Sequence, residues 1–266
     1  MLFIGVDLAW SENNPTGMAI FEGDKKKAKL LSTRLVLSDK EIIDYITESA
    51  KNKDALIAID APLIVPNEEG RRIAEEEVGY LFRKYNAGAH PANRRRLSSF
   101  TGKIRGEEIS KLLEKEGFKH DPKLKKFEKG RKFFEVYPHP SIVVLFNLDK
   151  ILQYKAKPKR DYEFRWKEFK KYQKYMKDLE KLRPSFVVSK DILNKNVKKL
   201  KGKSLKNYED ILDAIFCSYI AYYSWANPEK CEILGNMKDG YILTPVFGHM
   251  KKKLEDNRSQ RKIGDY

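Results

Sequence analysis

The sequence predicts an α/β domain built on a mixed five-stranded sheet, three antiparallel strands and then parallel ones, with flanking helices and a basic helical insertion. Three observations lead there. Apolar runs at 2–8 and 16–21, followed by a loosely alternating run at 29–37, read as an antiparallel meander. A short, wholly apolar run at 55–59 has the composition of a strand covered on both faces. A helical pattern precedes it, which is the natural crossover to a parallel neighbour.

Taken in order, the first run is broken by Asp7, and the second lies between Pro15 and Gly23-Asp24. Ser38 or Asp39 caps a helix running to about residue 52, with Ile42, Ile43 and Ile46 on one face. Pro62 ends the strand at 55–59. Residues 67–85 read as a helix with the acidic start Glu68-Glu69, and 86–106, with Gly88, Pro91 and Gly102, as irregular chain. A helix at 107–116 stops at Gly117, a strand at 132–137 stops at Pro138, and a short helix occupies 140–146. Residues 161–182 carry Phe164, Trp166, Phe169, Tyr172, Tyr175, Met176 and Leu179 among charges, the pattern of a long amphipathic helix. Helical periodicity is strongest at 207–225; 241–246 reads as a late strand and 251–266 as a frayed polar tail beyond a single domain at 1–250.

Composition narrows the functional classes. Hydrophobic residues make up 41%, enough for a real core, and no run of 18 apolar residues offers a membrane span. The first residues carry an acid inside the apolar run and read as a strand, not a signal peptide. Cys217 and Cys231 make neither a thiol metal cluster nor a disulfide framework, which leads us to expect a cytoplasmic protein. The net charge of +16 is unevenly spread: +14 lies in 150–206, +8 in 89–132 and −6 in the remainder. Such a middle suits a polyanion, with nucleic acid as the expected partner; the plainer reading is a lysine-rich solvated face.

Several acids sit where an acid is locally out of place. Asp7 and Asp60 close apolar strands, Glu135 lies inside Phe133-Phe134-Glu135-Val136-Tyr137, and Asp210 and Asp213 open an apolar helix. A carboxylate beside a core is costly unless it is paired, hydrogen-bonded or metal-bound. If the strands of Asp7 and Asp60 are adjacent and parallel, their tips stand roughly 5 Å apart. Asp210 and Asp213 share a helix face. Oxygen ligands without matching His or Cys favour Mg²⁺ or Mn²⁺, and two such ions would clamp an in-line phosphoryl displacement. Each acid also has a plain structural reading: Asp7 or Asp60 caps a turn, Glu135 pairs with a core arginine, and Asp210 answers the dipole of a helix starting near residue 207. Other candidates for substrate contact are His139, the run Arg94-Arg95-Arg96, and Lys170, Lys171 and Lys174. Arg72 and Glu75 read as an ion pair on one helix face. No Walker phosphate loop occurs.

Four blocks resemble a known family. They are Gly5-Val6-Asp7-Leu8-Ala9-Trp10 with Thr16-Gly17-Met18-Ala19-Ile20; Ala58-Ile59-Asp60-Ala61-Pro62-Leu63 with Gly70, Arg72 and Glu75; Glu135-Val136-Tyr137-Pro138; and Asp210-Ile211-Leu212-Asp213-Ala214. Together, from Gly5 to about Val246, they are similar to the predicted RNase H-like nucleases grouped as domain of unknown function 429. The resemblance implies an RNase H-like fold and a metal-dependent nuclease in which Asp7, Asp60 and Asp213 are the strand and helix acids. Asp210 joins them by likeness to the paired helix acids of Holliday-junction resolvases, and Glu135 stands as an extra ligand. The basic segment at 150–206 is a departure that the resemblance leaves without a role. Rival readings are a non-catalytic nucleic-acid-binding module and an actin-like ATP-dependent phosphotransferase. The phosphotransferase needs two copies of the domain, and the sequence has motifs for one.

Overall fold

The computed structural model describes residues 1–98 and 102–264, with side chains to residue 260. Parts of the irregular stretch at 86–106 and of the predicted tail, residues 99–101 and 265–266, lie outside the described residues. The chain opens with β1 (Leu2–Asp7), β2 (Thr16–Gly23), β3 (Lys27–Val36), α1 (Asp39–Ala50) and β4 (Ala55–Asp60). It continues through α2 (Ile73–Phe82), α3 (Arg94–Leu97), α4 (Arg105–Lys115), β5 (Lys119–His120), β6 (Arg131–Glu135) and α5 (Pro138–Leu145). There follow α6 (Tyr162–Asp178), β7 (Ser185–Val187), α7 (Lys190–Leu193), α8 (Gly202–Ala226), β8 (Cys231–Asn236), β9 (Gly240–Pro245) and α9 (Gly248–Gly264).

The main sheet has the order β5-β6-β4-β1-β2-β3-β7 among the described residues. β1, β2 and β3 form the expected antiparallel meander, and β4 and β6 add in parallel beside β1. The predicted count of five strands is corrected to seven, because two short strands close the edges. β5 pairs with β6 over two residues, and β7 pairs in parallel with the start of β3. The basic segment at 150–206 is thus not purely helical: it supplies an edge strand of the sheet. The late strand at 241–246 is also placed differently, since β9 pairs with β8 in a separate hairpin.

Both faces of the sheet are covered, which explains why β1 and β4 read as continuous apolar runs. One face carries α1 and α4 over Ile4, Val6, Ile57 and Ile59. The other carries α8, with α6 beyond it, over Phe3, Ala19, Leu56 and Ala58. α8 lies against the strands because two glycines leave room. A Cβ on Gly5 would stand 1.9 Å from the Ala214 carbonyl oxygen, and one on Gly17 2.2 Å from that of Asp210. A third cluster joins α2, β8, β9 and α9.

Three boundaries shift with consequences. α8 begins at Gly202 and not near 207, so Asp210 sits in its third turn and the dipole explanation for that acid falls away. α2 begins at Ile73 with Arg72 as its N-cap, leaving Glu68 and Glu69 outside the helix. The predicted tail is instead α9, tied down by buried Met250 and Leu254 and by Arg258, whose guanidinium donates to both Glu77 oxygens at 2.8 and 2.7 Å. The aromatic helix at 161–182 shortens to α6 and buries Phe169, Tyr172 and Met176 in the core. No helix among the described residues is long and apolar enough to cross a membrane.

Candidate active site

A cleft of about 650 Å³ opens at the carboxyl ends of β1, β4 and β6. Ligands of open α/β sheets gather at such strand ends. The register of β1 and β4 places Asp7 directly opposite Asp60, and that of β4 and β6 places Glu135 opposite Ile59. α8 adds Asp210 at the cleft wall and Asp213 one turn deeper, where it is fully buried.

Burial and mutual repulsion raise the carboxyl pKa values here. Asp7 is pushed well above the carboxylate range, first by burial and then by Asp213, Asp60 and Asp210, against the pull of Lys155. Asp60 rises to about 7, again mainly by burial, with Lys155 opposing and Asp213 and Glu135 adding to the rise. Asp210 is raised by burial too, while the Lys206 ammonium, 2.5 Å from its Oδ1, pulls it down. Asp7 and Asp210 stand close enough for their carboxyl groups to share a hydrogen bond. This is a site with more negative charge than it can hold alone.

Lys155 answers part of that charge. Its Nζ lies 2.8 Å from Asp213 Oδ2, though off the line of a hydrogen bond. Asp213 Oδ1 accepts from the Tyr154 hydroxyl at 2.6 Å and the Tyr172 hydroxyl at 3.5 Å. Nothing in the sequence singles Lys155 out from the other cations of 150–206, of which Arg165 and Lys206 also turn inward.

Glu135 stands apart from this group. Arg72 donates to both its oxygens, at 2.6 and 3.0 Å, and the Leu63 N–H donates to Oε2 at 2.9 Å. The same guanidinium holds Glu75 Oε1, and Glu75 Oε2 accepts from the Arg72 N–H. Burial opposes charge on Arg72, but Glu135 and Glu75 more than offset it and keep the guanidinium charged far above its usual range. Glu135 therefore meets the core-arginine reading given above, with its acceptor positions taken, while still lining the cleft.

His139 also lines the cleft, on the first turn of α5. Burial, then Lys155, holds it well below the usual histidine value, and its buried Nδ1 has no hydrogen-bond partner among the described residues. The remaining candidates lie elsewhere. Arg94 donates to the Val65 carbonyl and to Glu107, Arg95 pairs with Glu69 on the surface, and Arg96 is exposed; none of the three lines the cleft. Lys170, Lys171 and Lys174 are exposed on α6, away from the cleft walls. Trp10 was not among the expected contacts, yet it stands 68% exposed at the cleft rim. The loop carrying it is fixed by Arg105, which donates to the Ala9 carbonyl and pairs with Asp39 at 2.7 Å.

The model of the family described as "Protein of unknown function (DUF429)" matches residues 5–237. The chain belongs to the DUF429 family. The resemblance read from the four sequence blocks is thereby borne out at family level, and all four blocks supply cleft residues: Asp7, Asp60 and Arg72, Glu135, and Asp210. No curated protein matches this DUF429 chain.

Whether these residues suit a divalent ion has two answers. The donor chemistry suits Mg²⁺ or Mn²⁺: carboxylate oxygens from two strand ends and a helix, crowded enough to need a counter-charge. Their present arrangement does not, because no three His, Cys, Asp or Glu among the described residues converge as a ligand set. Lys155 stands among them instead.

Proposed function

We propose that this DUF429 chain is a metal-dependent nuclease of RNase H-like fold, hydrolysing phosphodiester bonds of nucleic acid in the Asp7–Asp60 cleft. The observation that carries the reading is the in-register pairing of Asp7 with Asp60 at adjacent parallel strand ends, with α8 laying Asp210 and Asp213 beside them. The strand order supports the fold reading: a meander followed by parallel strands on its β1 side. Asp7, Asp60 and Asp210 would hold Mg²⁺ or Mn²⁺, and a bound ion would lower the pKa of a coordinated water and polarise the phosphoryl oxygen. Trp10 offers a flat face to a nucleobase at the rim, and the exposed lysines of α6, away from the cleft walls, offer charge to a phosphate backbone further along.

A second reading is favoured by one observation, the lysine already seated among the acids. A chain with that arrangement permanently in place would be a nucleic-acid-binding module without turnover. A panel of labelled single-stranded, double-stranded, hybrid and branched substrates separates the two, with Mg²⁺ or Mn²⁺ and with Asp7→Asn as control. The nuclease reading expects cleavage of at least one substrate and its loss in Asp7→Asn. Binding without cleavage by the wild type favours the module.

A further inference from the structure

The segment that sequence analysis left without a role reaches the cleft through Lys155. Arg165 Nε donates to the Tyr154 carbonyl at 2.8 Å, and the Tyr154 hydroxyl is anchored on Asp213. With its neighbour fixed at both ends, Lys155 has its start point fixed. The side chain is 27% exposed, while Asp213 beneath it is 0% exposed. The carboxylates that act on its ammonium are, in order, Asp213, Asp7, Asp60 and Glu209.

An ordinary structural ion pair satisfies one partner with aligned hydrogen bonds. This one does not: Asp213 Oδ2 has no aligned donor, and the Lys155 ammonium faces acids from two strands and a helix, while Lys206 holds Asp210. A compact ammonium on a flexible stem can be displaced by a stronger cation, as a rigid bidentate arginine cannot.

We propose that Lys155 is the built-in counter-ion of the carboxylate cluster and competes with a divalent cation for it. Metal binding sends the ammonium out along the cleft, which is its exposed side, to where the phosphate of a substrate would meet it. The proposal rests on the cleft being a metal site, and it explains why three donors do not converge in the metal-free arrangement. Lys155 is then a positioning residue: beside Lys206 on Asp210, it offsets part of the empty cluster's charge and raises the metal concentration needed to load it.

The test titrates Mn²⁺ against wild type and Lys155→Met, reading free Mn²⁺ by its electron spin resonance, with melting temperatures in metal-free buffer alongside. Competition predicts that Lys155→Met binds Mn²⁺ at least tenfold more tightly than wild type while melting lower without metal. If Lys155→Met does not fold without metal, Lys155→Gln, which keeps a polar head, carries the same comparison. Wild-type binding with no gain in the variant overturns the competition and leaves the metal site standing. No binding by either protein removes the metal site itself, and the proposal with it.

Discussion

Gly5→Ala tests how the site is assembled. Gly5 lies two residues before Asp7, and a Cβ there would stand 1.9 Å from the Ala214 carbonyl oxygen and 2.4 Å from the Ser218 nitrogen. Ordinary contact begins near 3.4 Å, so strand and helix must separate by about 1.5 Å. Neither obstacle is a side chain that can rotate away. Overpacking typically costs ~1–3 kcal/mol, and backbone obstacles place this change at about 3 kcal/mol. At roughly 2 °C per kcal/mol for a chain of this size, the melting temperature should fall by about 6 °C. The separation also moves Asp213, bonded directly to Ala214, away from Asp7. A shift of about 1 Å in a reacting group can cost roughly 100-fold, so turnover should drop far more than the folded fraction does. The assay is thermal and urea unfolding beside turnover at a temperature where both proteins are folded. A variant melting within about 1 °C of wild type with full turnover would refute the claim that glycine contact with α8 sets the carboxylate geometry.

Other outcomes follow from the same structure. Arg72→Met leaves Glu75 and Glu135 buried without their partner; breaking such a buried pair costs ~3–5 kcal/mol, measured by urea unfolding at neutral pH, and a loss below about 1 kcal/mol would contradict the structural role of Arg72 between the two glutamates. His120, stacked on Phe133 and sharing a hydrogen bond with the Tyr241 hydroxyl, is held down to about 4 by burial, against a pull upward from Asp121. Unfolded histidine takes its proton near 6.5, so its contribution is complete above that pH and is lost as pH falls from 6.5 towards 4. Wild type should therefore lose up to about 3 kcal/mol relative to His120→Phe across that window, and parallel pH profiles would count against the shift. Changing Lys170, Lys171 and Lys174 to Ala should lower the slope of log K against log salt for nucleic-acid binding by up to about 2.7, with an unchanged slope making α6 a bystander.

What the sequence disclosed, and what it hid, follows the range of the forces involved. β1 to β4 were readable because both faces are buried and the composition shows it residue by residue. Asp7 and Asp60 stood out because an acid interrupts each apolar run. β5 and β7, at two and three residues, are too short for any period to register, and pairing with an existing edge decides them. The first turn of α8, Gly202-Lys203-Ser204-Leu205, has little apolar signal, so the sequence pattern starts the helix five residues late and lends Asp210 a dipole role it does not have. α9 is mostly charged and owes its place to tertiary contacts of Met250, Leu254 and Arg258. Glu135 finds its partner 63 residues away, and Lys155 differs from its neighbours only in direction. A charge count can register that many cations are present; it cannot say which of them turn inward.

The most direct test of the central claim is anomalous diffraction from crystals soaked in Mn²⁺. The account predicts a peak between Asp7 and Asp60, within ligand distance of an α8 carboxylate, with the Lys155 ammonium moved off Asp213. A map with no peak at these carboxylates under saturating Mn²⁺, and Lys155 still on Asp213, would contradict it.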